Sequence, residues 1–271
     1  MHAVDDRGWR SLPAHVGRLA RRRELLFNLA SRDLKIRYKQ SALGVAWAIV
    51  QPFALMVVFS IVFSLFVKIK TLGIPYPVFS YVALVPWTYF ANGLGAGVSS
   101  LVGNANLVSK IYFPREIFPL ASLLASFVDF LVAATIFVGM LLFYRIGLTP
   151  EVLWVPVIVL VQMAFMFGLM LALSAANVFY RDVRLLLPFL LQLWMYVTPV
   201  IYPLALVPPR FRPLFWLNPM TGIIDAYRRV IVQGQPPDAY QFLFAVVVSL
   251  VLLALSYRFF KGAEMRFADV I

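Results

Sequence analysis

The sequence is poor in the side chains that most enzymes use for chemistry. It contains no cysteine, which excludes a disulfide framework and any cysteine-based metal or redox site. Its two histidines, His2 and His15, both lie in the basic N-terminal region. Carboxylates paired at the spacing of metal ligands are absent, apart from Asp5 and Asp6. We therefore expect neither a metal site nor a catalytic centre in this chain.

Charged residues are also scarce, and long stretches of the chain have almost none. They make up 13% of the 271 residues, whereas 62% of the residues are hydrophobic. A soluble domain has about 25% charged and about half apolar residues. Charge-poor apolar runs of about 18 residues or more are typical of membrane-spanning helices. The sequence predicts an all-α integral membrane protein with six transmembrane helices, at residues 44–67, 78–102, 117–144, 152–179, 185–202 and 240–257.

The basic residues are distributed unevenly between the two sides of the predicted membrane. With six spans, both termini lie on one side, together with the loops after spans two and four. That side carries seventeen of the 24 Lys and Arg residues, and such residues accumulate on the cytoplasmic side. We therefore expect both termini in the cytoplasm. We attribute the net charge of +12 to cytoplasmic loops that face anionic membrane lipids, and we expect no nucleic-acid partner.

Residues 1–43 are predicted to form a basic cytoplasmic tail that ends in an interfacial amphipathic helix. Polar and basic side chains recur there at intervals of three and four residues, so they share one helix face. Such a helix lies along the lipid headgroups with its apolar face turned to the membrane. A solvated tail that only fixes the topology is the alternative. The polar face consists of Asn28, Ser31, Arg32, Lys35 and Lys39, and the apolar face of Leu25, Leu29 and Ile36.

The connection between spans five and six, residues 204–237, is long and rich in proline. The prolines divide it into two short amphipathic pieces on the outer face. These pieces are predicted to re-enter the membrane, which requires that protein covers their backbone. Two interpretations stay open: a gate over a pathway, or a lid that packs on the outer helix ends.

Three segments carry a resemblance to a known family. They are residues 32–44 with Trp47 and Gln51-Pro52, then residues 104–116, then Tyr180-Arg181-Asp182-Val183 with Tyr202-Pro203 and Leu217-Asn218-Pro219-Met220. Together they resemble the permease subunits of ABC-2 type transporters, in particular the exporters of O-antigen, capsule or teichoic acid. The resemblance covers nearly the whole chain after about residue 25, and it does not identify the sugar.

This resemblance implies a homodimer that works with two copies of a separate ATPase. The complex would export a lipid-linked polysaccharide across the bacterial cytoplasmic membrane. The chain has no G-x-x-x-x-G-K-[ST] loop, so it lacks the phosphate cradle of a P-loop ATPase. ATP and Mg²⁺ would therefore bind to the partner, with no cofactor in this chain. Residues 44–258 would form the transmembrane domain and residues 259–271 a cytoplasmic tail.

The resemblance also implies roles for individual residues, with spans one and five lining the pathway at the dimer interface. The ATPase-coupling residues would be Asn104, Asn106, Leu107, Lys110, Ile111, Tyr112, Phe113, Pro114 and Arg115. The cytoplasmic gate would include Arg32, Lys35, Tyr38, Leu43 and Gly44. The pathway candidates are Trp47, Phe59, Phe63, Trp194, Tyr196 and Tyr202. The outer gate would include Phe211, Phe215, Trp216, Asn218 and Tyr227.

Two features inside the predicted spans call for a structural role. Gly93, Gly97 and Ser100 place small residues at helical spacing on span two, which favours close helix packing. Asp129 is the single acid deep within a span and has no acidic or basic partner in a neighbouring span. We expect it to be protonated or hydrogen-bonded rather than part of a proton relay. Among the aromatic residues, Trp194 and Tyr196 are the favoured substrate contacts because their span should line the pathway.

Other functions remain as alternatives at this stage. Within the same family, the cargo would be a drug or a small lipid. An ion-coupled carrier would need several intramembrane ionisable residues and often shows internal repeats, neither of which the sequence provides. A membrane glycosyltransferase would need an acid/base or metal cluster near one membrane face, and no such cluster is evident.

Overall fold

The computed structural model describes residues 23–39, 41–69, 71, 73–110 and 114–270, and every regular element among them is helical. The helices are α1 (Arg23–Tyr38), α2 (Trp47–Ser60), α3 (Tyr76–Gly103), α4 (Ala105–Lys110), α5 (Ile117–Phe143), α6 (Val155–Phe179), α7 (Asp182–Val197), α8 (Arg212–Trp216), α9 (Pro219–Arg228), α10 (Ala239–Glu264) and α11 (Phe267–Val270). Short 3₁₀ turns occur at Gly44–Ala46, Pro150–Trp154, Leu204–Leu206 and Pro209–Phe211, and π-helical turns at Ile61–Phe66 and Arg229–Gln233.

Helix α3 is the centre of the bundle. Twenty of its 28 residues are buried, and it packs against α2, α5, α6, α7 and α9. A Cβ atom added at Gly93 would lie 2.6 Å from Met166 Cε, and one added at Gly97 would lie 2.6 Å from Met170 Cγ. Both distances are far below van der Waals contact, so a larger residue at either position would force the methionine side chains of α6 to move. The predicted packing role is confirmed for Gly93 and Gly97.

Four segments among the described residues are long and apolar enough to cross a membrane. They are Gly44–Ser64, Ile117–Phe143, Pro150–Phe179 and Ala239–Glu264. Helices α3 and α7, which contain the second and fifth predicted spans, are not among them. Helix α3 carries many Tyr, Trp, Ser and Asn side chains, and α7 has only 16 residues, whereas a perpendicular crossing needs about 20. The chain is a multi-pass membrane protein.

Helix α7 ends earlier than the sequence predicts. The expected span at residues 185–202 is a helix only as far as Val197, and residues 198–203 are not helical. Pro199 explains the difference. Proline has no backbone N–H to donate to the helix, and it disfavours the α-helical conformation of the residue before it. Thr198 accordingly adopts an extended conformation, with φ −95° and ψ 134°.

A buried chain of hydrogen bonds joins α9, α6 and α3. The Tyr227 hydroxyl donates to Gln162 Oε1 at 3.0 Å, and Gln162 Nε2 donates to the Pro86 carbonyl oxygen at 2.7 Å. Gln162 is fully buried and Tyr227 is 2% exposed. Polar groups without water must be paired by protein, and here each group satisfies the next. Helix α9 is therefore built into the bundle core rather than laid over its outer face.

Candidate functional site

A large cavity of about 850 Å³ lies between α2, α3, α5 and α7. Its volume falls in the range of ligand-binding clefts, roughly 300–1,000 Å³. Its lining combines amide, aromatic and charged side chains, an unusual mixture for the interior of a membrane protein. The amides are Gln51, Asn92 and Gln192, the aromatic residues include Trp47, Trp87 and Tyr89, and the charged residues are Arg37, Asp129 and Arg184.

The amides give the cavity hydrogen-bonding capacity that does not depend on charge. Asn92 Nδ2 donates to Gln51 Oε1 at 2.9 Å, and both side chains are exposed. An amide offers two donors and a carbonyl acceptor, so each of these groups retains capacity for a further partner. The neighbouring Trp and Tyr rings present apolar faces with a polar edge. This combination suits a ligand with hydroxyl groups on one side and C–H faces on the other.

One end of this cavity is closed by α1, and we refer to this end of the molecule as the α1 end. The Arg37 guanidinium forms an ion pair with the Asp129 carboxylate and donates to Ser126 Oγ at 3.3 Å. The Tyr38 hydroxyl donates to Asp129 Oδ1 at 2.6 Å. Burial, together with the bond to Asp129, raises the pKa of Tyr38 to about 12, so its hydroxyl keeps its proton. Asp129 is hydrogen-bonded, as predicted, and the basic partner that neighbouring spans did not offer comes from α1.

The predicted gate and coupling segments are in direct contact. Arg32 on α1 donates to Asn104 Oδ1 at 2.7 Å and to Asp33 Oδ1 at 3.0 Å. Asn104 Nδ2 donates back to the Ser100 carbonyl of α3 at 2.8 Å. The Asn104 side chain therefore holds α1 against the end of α3, and the short helix α4 starts from its backbone carbonyl.

The remaining predicted gate residues lie on exposed or turning parts of the chain. Lys35 is exposed on α1, and Leu43 is exposed in the connection to α2. Gly44 has a φ of 51°, a left-handed conformation that disfavours side chains, and it begins the turn that leads into α2.

The predicted coupling residues form a short connection between α3 and α5. Asn106 is exposed on α4, Leu107 packs on a buried cluster, and Lys110 is the last residue of the helix. Ile111, Tyr112 and Phe113 lie outside the described residues. Pro114 follows without helical structure, and Arg115 precedes α5.

Of the six predicted pathway residues, Trp47 is the one that lines the cavity. Phe59 and Phe63 pack on the core, and Tyr196 is half exposed elsewhere on α7. Tyr202 lies beyond α7, where its hydroxyl donates to the Tyr196 carbonyl oxygen at 2.6 Å.

Trp194, a predicted pathway residue, does not line this cavity. Its ring stands edge-on to Phe90 and Phe165, at centroid distances of 5.2 and 6.1 Å. Its indole N–H donates to Asn218 Oδ1 at 3.0 Å. A partly buried indole needs an acceptor, and Asn218 supplies it, so Trp194 holds α7 to the segment before α9.

The opposite end, which we call the α9 end, is organised by Asn218 and Arg228. Asn218 caps α9 by accepting from the Met220 backbone N–H at 3.1 Å, and its Nδ2 donates to Thr198 Oγ1 at 2.9 Å. The Arg228 guanidinium donates to the carbonyl oxygens of Pro199 and Val200, beyond the broken end of α7. It also lies 3.8 Å from the ring centroid of Phe79. The other predicted outer-gate residues divide between the surface, where Phe211 and Trp216 are exposed, and the interior, where Phe215 is partly buried and Tyr227 is buried.

Sequence inspection missed several of the residues that define this site. Gln51, Asn92 and Gln192 are not among the predicted pathway groups, and Arg228 is not among the predicted site residues. A usable signal existed for one of them. Trp47, Gln51 and Leu55 follow one another at intervals of four residues, and all three line the cavity on one face of α2.

Comparison with known proteins identifies the family of this chain. The model of the ABC-2 type transporter family matches residues 24–232, which is most of the chain and includes every residue that lines the cavity. The chain belongs to the ABC-2 type transporter family. Its members are transporter subunits rather than catalytic subunits. No group of three or more potential metal ligands occurs among the described residues.

Named relatives cover almost the whole of this ABC-2 chain. It is 31% identical to the O-antigen export system permease protein RfbA of Myxococcus xanthus, over 94% of this chain and 98% of that protein. It is 30% identical to a protein of the same name from Klebsiella pneumoniae, over 92% and 95%. It is 20% identical to the polysialic acid transport protein KpsM of Escherichia coli, over 86% and 91%.

Proposed function

We propose that this chain is the membrane permease of an ATP-driven exporter that moves a lipid-linked polysaccharide across the bacterial cytoplasmic membrane. The observation that carries the proposal is the 850 Å³ cavity, lined by amides and aromatic rings inside an apolar bundle. A sugar polymer offers hydroxyl groups to the amides and C–H faces to the rings. The relatives named as O-antigen and polysialic acid transporters support the same class of cargo.

The proposed topology has six membrane crossings, with α2, α3, α5, α6, α7 and α10 as the spans and both termini in the cytoplasm. The excess of Lys and Arg on the α1 side supports this orientation. Helices α8 and α9 then form the outer re-entrant segment within residues 204–237. The bonds from Asn218 and Arg228 to the end of α7 support this assignment, because they satisfy backbone groups that lipid would leave unpaired.

The proposed active unit is a homodimer in which α2 and α7 face the second copy. Each of these helices buries only two residues spaced four apart, Pro52 and Met56 on α2 and Leu187 and Leu191 on α7. Both helices also border the polar cavity. Gln51, Asn92 and Gln192 would be costly neighbours for lipid tails, and a second copy would cover them.

Energy comes, in this proposal, from two copies of a P-loop ATPase that bind ATP and Mg²⁺. The α4 connection, residues 104–115, is the proposed docking segment, and α1 is the proposed cytoplasmic gate. The contact of Arg32 with Asn104 supports a mechanical link between them. Displacement of α4 would move α1, and α1 carries the Arg37 and Tyr38 groups that close the cavity. Phe211, Phe215, Trp216 and Asn218 form the proposed outer gate, with Tyr227 anchoring it in the core.

Replacing cavity amides tests this function directly. Gln51→Leu and Asn92→Leu should each lower export several-fold with little loss of folded protein, because both side chains are exposed. Each variant is expressed in a strain that lacks its own copy of the chain. Export is measured on intact cells by oxidising the surface carbohydrate with periodate and labelling it with a hydrazide. Thr135→Val is the control, since Thr135 is exposed on α5 and bonds only to its own helix. Normal surface carbohydrate without the chain, together with loss of drug efflux, would point to the small-molecule exporter instead.

A further inference from the structure

The C-terminal end of the chain is tied to the coupling connection by a buried ion-pair network. Lys261, near the end of α10, donates to Glu116 Oε2 at 2.6 Å and to Glu264 Oε2 at 2.7 Å. The side chains of Lys261 and Glu116 are 11% and 2% exposed. Glu116 is the residue immediately before α5, at the end of the connection that contains α4. Lys261 therefore joins the two ends of a cytoplasmic junction that are 145 residues apart in sequence.

Arg115 extends this network from α10 to α4. Its backbone N–H donates to Glu264 Oε1 at 3.1 Å, and its guanidinium donates to the Glu264 carbonyl oxygen. The same guanidinium donates weakly to the Val108 carbonyl of α4 at 3.5 Å. Arg115 thus bridges the short helix and the last turn of α10. Because these bonds involve backbone as well as side-chain groups, they hold the backbone of the connection in place.

An apolar cluster packs against this ion-pair network. Phe267 of α11 is fully buried, with its ring 5.4 Å from Phe260 and 6.0 Å from Phe179. The Arg115 guanidinium lies 5.8 Å from the Phe267 ring centroid. Val108, the inward-facing residue of α4, belongs to the same buried cluster. Phe260 and Phe267, within the predicted cytoplasmic tail of residues 259–271, therefore form part of the surface on which α4 packs.

We infer that the C-terminal segment is a working part of the coupling site: Lys261 and Glu264 position α4 and transmit its displacement to α10. This inference rests on the proposed function. The connection leading into α5 is held on one side by Lys261 and on the other by the α1 bond to Asn104, and α5 itself is held by the Arg37–Asp129 ion pair. A force applied to α4 therefore reaches α10 as well as α1. Helix α10 packs along α6 and α9, so the same movement is carried towards the α9 end.

The variant Lys261→Met tests the inference, because methionine keeps an unbranched apolar stem and removes the charge. In the purified complex with its ATPase we expect assembly and ATP hydrolysis to stay within twofold of the wild type. Export to the cell surface, measured by the hydrazide label, should fall at least tenfold. The matched control is Arg258→Met, which removes an exposed cation from the same helix and should leave export unchanged.

A charge exchange separates transmission from simple folding. Glu116→Lys and Lys261→Glu should each uncouple export from hydrolysis, and the double variant should recover at least half of wild-type export. A double variant that exports no better than either single variant would overturn the inference. So would a Lys261→Met complex that exports normally, or one in which assembly, hydrolysis and export all fall together.

The wild-type complex distinguishes this result from failure of the proposed function. If the wild type places no carbohydrate on the surface, the proposed function fails. If the wild type exports and Lys261→Met also exports normally, only the role of the C-terminal segment fails.

Discussion

The two ends of the molecule are held together by different kinds of bond. At the α1 end, oppositely charged side chains pair across the chain, as Arg37 does with Asp129 and Lys261 with Glu116. At the α9 end, Arg212, Arg228 and Arg229 donate to neutral carbonyl oxygens, and Asn218 joins uncharged side chains. All four ion pairs recorded among the described residues lie at the α1 end.

This difference teaches which end is suited to movement. The α1-end pairs are partly exposed in several cases, so water can replace a partner while helices shift. At the end of α7, water cannot replace Arg228 as the donor to the Pro199 and Val200 carbonyl oxygens, because the site is buried. We expect the α1 end to rearrange more readily during transport, whereas the Arg228 bonds keep α9 attached to the end of α7 as the helices move.

The largest effect is expected from Arg228→Leu, which breaks the α9 end. The variant leaves the carbonyls of Pro199 and Val200 unpaired, and each buried unpaired group costs about 1–3 kcal/mol. We expect a loss of roughly 2–4 kcal/mol of stability, visible as a lower melting temperature of the purified protein in detergent. The neighbouring variant Arg229→Leu removes one bond, to the Pro236 carbonyl at 2.9 Å, from a more exposed site and should cost far less. Equal losses from the two variants would contradict the special role of Arg228.

A smaller effect is expected from Asn218→Ala, which sharpens the comparison within the α9 end. It removes the N-cap of α9, worth about 1 kcal/mol, and the partners of Trp194 and Thr198. We expect a total loss of about 2 kcal/mol, since at least one donor is left unpaired. Asp238→Ala is the matched control, because Asp238 caps α10 by accepting from the Gln241 N–H and has no other recorded bond. If the two cap variants melt at the same temperature, the bonds of Asn218 to Trp194 and Thr198 do not contribute to stability.

The smallest change in stability is expected from Asp129→Asn at the α1 end. Asparagine still accepts a hydrogen bond from Tyr38 but removes the charge opposite Arg37, at a cost of about 1 kcal/mol. The consequence should instead be faster cleavage of α1 by chymotrypsin, followed on gels, because α1 detaches from α5 more often. Glu24→Gln, at an exposed position on the same helix, should cleave at the wild-type rate. The double variant Arg37→Gln/Asp129→Asn should be cleaved no faster than the faster single variant; an additive effect would mean the two residues do not act as a pair.

The sequence was informative wherever the signal was local. The apolar runs marked the helices of four long segments, and the small residues of α3 predicted the close approach of α6. The boundary of α7 was wrong because apolarity continues past Pro199, although the backbone does not remain helical.

Contacts between distant parts of the chain were beyond sequence reasoning. Arg37 and Asp129 are 92 residues apart, and nothing in either segment announces the other. Arg228 looked like one of several loop charges until the fold placed it against the end of α7. The bond from the Trp194 indole N–H to Asn218, 24 residues further along the chain, could not be read from the sequence either.

Gln162 on α6 makes the hydrogen bonds of the buried core insensitive to pH. Gln162 donates a hydrogen bond to the Pro86 carbonyl and accepts one from the Tyr227 hydroxyl, and an amide does both at every pH. A glutamate there would turn an acceptor toward the Pro86 carbonyl whenever it was ionised. The junction of α3, α6 and α9 therefore keeps the same strength whichever way the acidity differs across the bilayer.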